Sequence, residues 1–484
     1  MRTSGPRYLC ILALLALGKS AWALDENACR LQADALPAAF GQCATLSVPE
    51  NYAAPEGTRL ALYVARVPAT SANPRPDPLV LISGGPGQSA IDFYLQSRAA
   101  FELVRRDRDI VLLDQRGTGR SAAGLQCELP EGMELEMAGN EVLDRVIAAC
   151  LTELSHDPAA FTTSVAVRDL ERLRDALGIA EWNLYGISYG TRVAQHYLRR
   201  YPEATRAVIL DGIVPAALAL GPDIAPNAQA ALDAIWQRCA EAAACAERFG
   251  DLPGKFEAVQ QRLAAAALSI DTSDPVSGNA LQMRFGENEF RAVVRLMSYS
   301  AQTAALLPLV VDEAHAGNYR PLAGQAQIVV EGLSESLSFA MHNSVVCTED
   351  APFFPADAQA SAAGAYLGNS VFGALETICA RWPRGVLDED FKTAVRSDRP
   401  VLLLSGQNDP VTPPAYAEAV RDGGLSNTIH LIGRGQGHGL AAVACVPRLM
   451  RLFLNEPEPG RLDAACLADE APTPFFLSFQ GPAP

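Results

Sequence analysis

Positive charge is scarce in this 484-residue chain: 39 Lys and Arg stand against 55 Asp and Glu, for a formal net charge of −16 at pH 7. A surface of that sign repels phosphate backbones and anionic lipid, so nucleic acid and anionic membrane are excluded as expected partners. Long apolar runs are also missing. The run at 8–18 (YLCILALLALG) is too short to span a bilayer, and no later segment reaches the length of about 18 residues that a span requires. No stable membrane insertion is expected. There is no closely spaced C-x-x-C pair, which removes the usual zinc and redox motifs, and neither a metal nor a cofactor is expected. No internal repeat or low-complexity tract stands out.

The N-terminus does carry a signal. Arg2 and Arg7 give a positive region before the short apolar run, and small residues follow it at 21–23 (AWA). This pattern predicts a cleaved signal peptide over 1–23, with Leu24 as the new first residue. Its removal takes Arg2, Arg7 and Lys19 away and brings the net charge from −16 to −19. The expected location is periplasmic or extracellular, where disulfides persist. Of 11 cysteines, Cys10 lies within the apolar run, and the remainder is even. The connectivity is open. Sequence neighbours offer one simple set: Cys29–Cys43, Cys127–Cys150, Cys239–Cys245, Cys347–Cys379 and Cys445–Cys466, each typically worth about 2–4 kcal/mol.

Three apolar runs in the first half end in glycine-rich loops: 78–83 (PLVLIS), 109–114 (DIVLLD) and 182–187 (WNLYGI). A fourth, 206–212 (RAVILDG), follows the helix expected after Ser188. Continuous apolar runs punctuated this way, with helical segments between them, predict buried parallel strands. From 215 to 395 the chain turns alanine-rich and helical in period, and strand signals return at 400–406 and 427–433. The expected organisation is an α/β fold with a mostly parallel sheet. Its first part would span 24–214, a helical cap insertion 215–395, and the second part, with a disulfide-tied tail, 396–484.

The stretch Gly186-Ile187-Ser188-Tyr189-Gly190 sits between an expected strand and an expected helix. G-x-S-x-G is common by chance, but in that setting it predicts a nucleophile elbow, with the glycines leaving room for a tight strand-to-helix turn. A serine hydroxyl needs a base, and the base needs a carboxylate. Two histidines lie beyond the resumed strands. His430 falls inside an apolar strand and reads as structural, whereas His438 sits in a glycine-rich loop (GRGQGHGL) after the last one. Asp409 ends the strand before it, and Thr412 and Pro413 read as the cap and first residue of the next helix. Asp211 is the rival acid. The order Ser188, Asp409, His438 is the one an α/β-hydrolase uses. The oxyanion would be met by the N–H of Tyr189 and, from the loop 83–87 (SGGPG), by that of Gly85, with Gly84 in reserve. Asp114 and Arg116, in DQRGTGRS, read as fasteners of a turn beneath the site.

Together, SGGPGQS, DQRGTGRS, GISYGTR, SVVCTED, LLLSGQNDPVTPP and GQGHG resemble the prolyl aminopeptidase (proline iminopeptidase) family of serine peptidases, most nearly its secreted tripeptidyl-aminopeptidase-like members. Ser83 departs from the histidine that usually opens the family's oxyanion loop, which favours the tripeptidyl-like branch. The resemblance implies a peptide substrate with a free amino terminus, whose ammonium Glu349 and Asp350 of the VVCTED segment would hold. A small acyl ester, cleaved by a carboxylesterase with the same triad, is the alternative.

Overall fold

A computed structural model describes residues 24–33, 36–121, 125–127, 140–274, 277–331 and 337–482. The segment expected to be a signal peptide, with Cys10, lies outside them. The chain builds a nine-stranded sheet from β1 (Asn27–Leu31), β2 (Ala39–Pro49), β3 (Arg59–Val67), β4 (Leu79–Ile82), β5 (Ile110–Leu113), β6 (Trp182–Ile187), β7 (Thr205–Asp211), β10 (Val401–Gly406) and β11 (Thr428–Gly433). Spatial order is β1-β2-β3-β5-β4-β6-β7-β10-β11. The six strands from β5 to β11 in that order are mutually parallel, and β1 to β3 form an antiparallel edge.

The inner parallel strands are mostly apolar because both of their faces are covered. Alternate residues sort into two cores. Val80, Ile82, Val111, Leu113, Leu184 and Val208 meet one layer of helices, and Leu79, Leu81, Ile110, Leu112, Tyr185 and Ile209 meet the other. The edge strands were not foreseen. In β2 and β3 buried and exposed residues largely alternate, as on a sheet with one wet face, so neither offers a continuous apolar run.

Between β7 and β10 the chain is mainly helical, with one hairpin of β8 (Leu268–Ser273) and β9 (Ala280–Phe285). Much of this stretch has its own core, in which Leu232, Trp236, Phe256, Phe290 and Leu309 pack together. Its last part behaves differently. Met341, Val345, Val346, Ile378 and Trp382 join the core of the sheet instead. Conversely, Phe475 of the C-terminal tail packs into the core of the insert. Five disulfides connect the same pairs that sequence neighbours offer. Among the described residues, no helix is long and apolar enough to cross a membrane.

The carboxyl edge of the sheet is where the site forms. The loop at Ser83 leaves β4, Ser188 leaves β6, Asp211 ends β7, Asp409 follows β10 and His438 follows β11. Pairing of Ile187 with Asp211, and of Asp211 with Leu404, sets these exits side by side. Crevices outside the carboxyl ends of parallel strands are where open α/β sheets bind ligands.

Candidate active site

Ser188 stands alone between β6 and the helix Tyr189–Arg200, with φ 54° and ψ −126°. A non-glycine residue at positive φ is strained by about 1–3 kcal/mol and persists only where its surroundings over-determine it. Here they do. The Ser188 N–H donates to the Asp211 carbonyl at 2.9 Å, and the Ser188 carbonyl accepts from the Thr191 N–H at 2.8 Å and its hydroxyl at 2.6 Å. The flanking glycines are required by contact. A Cβ on Gly186 would lie 2.4 Å from the Gly190 carbonyl oxygen, and one on Gly190 would lie 2.2 Å from that of Ile82.

The loop after β4 lies against the serine. A Cβ on Gly84 would stand 2.9 Å from Ser188 Cβ and 3.6 Å from its Oγ. Gly85 follows at φ +102°, a conformation that suits glycine. The loop is braced by the Ser83 hydroxyl donating to the Gln88 carbonyl at 2.6 Å, and by the Ser338 N–H donating to the Gly87 carbonyl at 3.0 Å. Tyr189 opens its helix, so its N–H has no carbonyl four residues back and is left for another acceptor. The positive end of the helix dipole points to the same place.

His438 is 11% exposed and its Nδ1 lies 2.8 Å from Asp409 Oδ2. With Nδ1–H donating there, Nε2 is left as the acceptor. Asp409 is held in turn: Oδ1 accepts the N–H groups of Val411 (2.9 Å) and Thr412 (2.8 Å), and Oδ2 accepts the Thr412 hydroxyl at 2.7 Å. Burial alone would depress the imidazole. The adjacent Asp409 charge and hydrogen bond, with Asp211 beyond, outweigh this and raise it above its ordinary value. The floor beneath the ring is the backbone after Asp211, since a Cβ on Gly212 would come 2.8 Å from His438 Cε1. That residue adjoins the carbonyl that holds the Ser188 N–H, so the imidazole and the Ser188 backbone rest on consecutive residues.

Asp211, the rival acid, makes no hydrogen bond to the ring. Its carboxylate accepts the N–H groups of Leu440 and Ala441 and the Tyr185 hydroxyl. His430 is remote from this chemistry and bonds Ser405 within the sheet at 3.0 Å. Asp114 accepts from Ser89, Ile91 and Arg120, while Arg116 forks onto Asp169 at 2.7 and 2.8 Å. Both fasten turns. Thr412 is not the helix cap, because that helix begins at Pro414; its hydroxyl serves Asp409. Tyr299 of the insert gave no sequence signal, yet its carbonyl accepts the His438 N–H at 2.7 Å and its ring lies edge-on to the imidazole at 5.4 Å.

The two carboxylates expected to hold a substrate ammonium lie buried with partners inside the protein. Glu349 and Asp350 are both 0% exposed. Asp350 already accepts from Arg192 (3.0 Å), Lys392 (3.1 Å) and the Leu220 N–H (3.0 Å), all within the protein. Glu349 accepts the Thr163 N–H at 2.6 Å, an orphan donor at the start of the helix Thr163–Ala176, and the Thr163 hydroxyl at 3.0 Å. Burial raises the Glu349 carboxyl to about 7, with Arg192 opposing and Asp350 adding to the rise. Thr163 Oγ1 is in turn 2.6 Å from the Tyr189 hydroxyl. The pair is thus buried and bonded within the protein, linked through Thr163 to the Tyr189 side chain.

Comparison with known proteins agrees with this architecture. Residues 77–304 match the family described as alpha/beta hydrolase fold, and residues 365–466 match the family of TAP-like proteins. The chain is 30% identical over 187 residues to the serine protease Hip1 of Mycobacterium tuberculosis, covering 36% of each chain. It is 26% identical over 384 residues to a tripeptidyl aminopeptidase of Streptomyces lividans, covering 75% of this chain and 65% of that one. Carboxylesterase B of Mycobacterium tuberculosis is 29% identical over 239 residues, 45% of this chain and 46% of its own. The matches thus span roughly one third to two thirds of these relatives' lengths. The chain has the α/β-hydrolase fold and is similar to serine hydrolases that include peptidases and an esterase.

Proposed function

We propose that this chain is an exported serine exopeptidase that releases residues or short peptides from free N-termini through an acyl-enzyme. The carrying observation is the His438–Asp409 pair at 2.8 Å, set beside the backbone that also holds the strained Ser188 turn. Ser188 Oγ attacks the scissile carbonyl carbon as its proton passes to His438 Nε2. Asp409 stabilises the imidazolium that forms. The carbonyl oxygen becomes an oxyanion and is met by the N–H groups of Tyr189 and Gly85. Collapse of the tetrahedral species breaks the C–N bond, and the amine leaves with the proton of His438. Water then enters, gives a proton to the same nitrogen and cleaves the ester, restoring Ser188.

Peptide bonds, rather than esters, are favoured by the long alignment with a tripeptidyl aminopeptidase. Export is supported by five disulfides, which persist in oxidising compartments. The likeness to a carboxylesterase supports a second reading, in which the same three residues cleave small esters. One panel separates them: free-amine peptidyl anilides, their N-acetylated forms and short-chain aryl esters. The exopeptidase reading expects kcat/KM highest for the free amines. Esters turned over fastest, with no preference for a free amine, would reject it.

A further inference from the structure

One buried residue touches both halves of the site. Asp211 ends β7 and is 0% exposed. Its carbonyl accepts the Ser188 N–H at 2.9 Å. Its side chain faces the other way: Oδ1 accepts the Leu440 N–H at 2.8 Å, and Oδ2 accepts the Ala441 N–H at 2.9 Å and the Tyr185 hydroxyl at 2.8 Å. Leu440 and Ala441 closely follow His438 in the chain, and Tyr185 closely precedes Ser188. The next residue, Gly212, has φ +64° and lies beneath the imidazole.

The donor arrangement selects a carboxylate. Three donors converge on two oxygens, and the Leu440 N–H is within 3.0 Å of both. An asparagine would satisfy one oxygen position and aim its NH₂ group at a backbone N–H, leaving a buried donor unpaired. The charged neighbours facing Asp211 are the His438 imidazole and, behind it, Asp409; Tyr185 is the titratable group on β6.

We propose that Asp211 is a positioning residue that locks the His438 loop to the Ser188 turn and supplies a second negative charge beside the imidazole. This rests on the reading of Ser188 as nucleophile and His438 as base. Burial lifts the Asp211 carboxyl to about 6, against the pull of its Leu440, Tyr185 and Ala441 donors. The carboxylate is therefore charged above that pH, where it favours imidazolium. Removing the charge disfavours imidazolium, so His438 stays unprotonated to lower pH.

The test follows the rate at which a fluorophosphonate labels Ser188 in the full chain across pH 4.5–9, with thermal denaturation alongside. In Asp211→Asn the acid limb should move down by about one pH unit. The plateau rate should fall at least about tenfold, because the loop is displaced. A residue that only supports the fold would lower Tm and leave the limb in place, and that result would overturn the inference. A second measurement needs no variant. In wild-type protein labelled with ¹⁵N-leucine and ¹⁵N-alanine, the Leu440 and Ala441 amides should titrate together near pH 6. Amide positions constant from pH 5 to 8 would also overturn it, whether or not Asp211→Asn folds. Failure of the wild-type protein to label at all would instead reject the serine-hydrolase reading, and the amide titration would still decide the role of Asp211.

Discussion

Gly190→Ala isolates the steric logic of the elbow, because two effects of opposite sign meet at one methyl group. Gly190 lies in the first turn of the helix Tyr189–Arg200, where alanine is the better helix former by about 1 kcal/mol. Propensity alone predicts a more stable protein. The methyl, however, would stand 2.2 Å from the Ile82 carbonyl oxygen and 2.6 Å from that of Ser83. Both obstacles are backbone and cannot rotate away. Ordinary contact requires the helix to retreat from β4 by roughly 1 Å, and overpacking of that kind costs about 1–3 kcal/mol. The clash wins on stability by a small margin, but it should dominate catalysis. Retreat separates the Tyr189 N–H from the loop of Gly84 and Gly85, and a misplacement of about 1 Å costs on the order of 10²-fold. The expected result is a fall in kcat/KM of about 100-fold or more on a peptidyl anilide or aryl ester, with Tm lowered by a few degrees. Activity within twofold of wild type, at unchanged or higher Tm, would refute the argument that contact at Gly190 fixes the site.

Glu349 and Arg116 give two further tests. The Glu349 carboxyl rises from its ordinary 4.5 to about 7 in the fold, so its contribution to stability is complete below 4.5 and is lost as pH climbs through 7. Glu349→Gln fixes the neutral form, so its stability relative to wild type should improve by about 1–3 kcal/mol between pH 5 and pH 8.5. Equal offsets in denaturation curves at the two pH values would contradict the assigned burial effect. Arg116 is fully buried and forks onto Asp169 while donating to the carbonyls of Pro49, Glu50 and Ala160. Arg116→Ala leaves the Asp169 charge without that partner and should cost about 3–5 kcal/mol in chemical denaturation, with Arg116→Lys restoring only part. A loss below about 1 kcal/mol would show that the pair does not hold this corner together.

The parts of the fold that were legible in the sequence are those whose environment is uniform along the strand. Largely buried along their length, β4 to β7 and β10 appear as apolar runs, and the half-buried edge strand β11 is apolar enough to read the same way. The one-sided edge strands do not: Phe40 in β2 is 74% exposed, and large apolar residues there mark no core. The β8–β9 hairpin was hidden for the same reason, since most of its positions face solvent. At the site, Ser188, Asp409 and His438 carry local turn chemistry, which short segments encode. Tyr299 acts through its backbone carbonyl, so no side-chain pattern announces it. The surroundings of Glu349 and Asp350 were not legible, because an acidic pair looks alike whether it awaits a cation or already has one. Their partners Arg192 and Lys392 come from distant segments, and only tertiary packing brings them together.

The most direct test of the central claim is to map the fluorophosphonate adduct by intact mass and peptide analysis in wild type, Ser188→Ala, His438→Ala and Asp409→Asn. One adduct is expected, on Ser188, absent from Ser188→Ala and formed about 10³–10⁴-fold more slowly without His438. Asp409→Asn should slow it strongly as well, because the imidazole loses the acceptor that fixes its tautomer. An adduct on another serine, or substrate hydrolysis by Ser188→Ala at the wild-type rate, would contradict it.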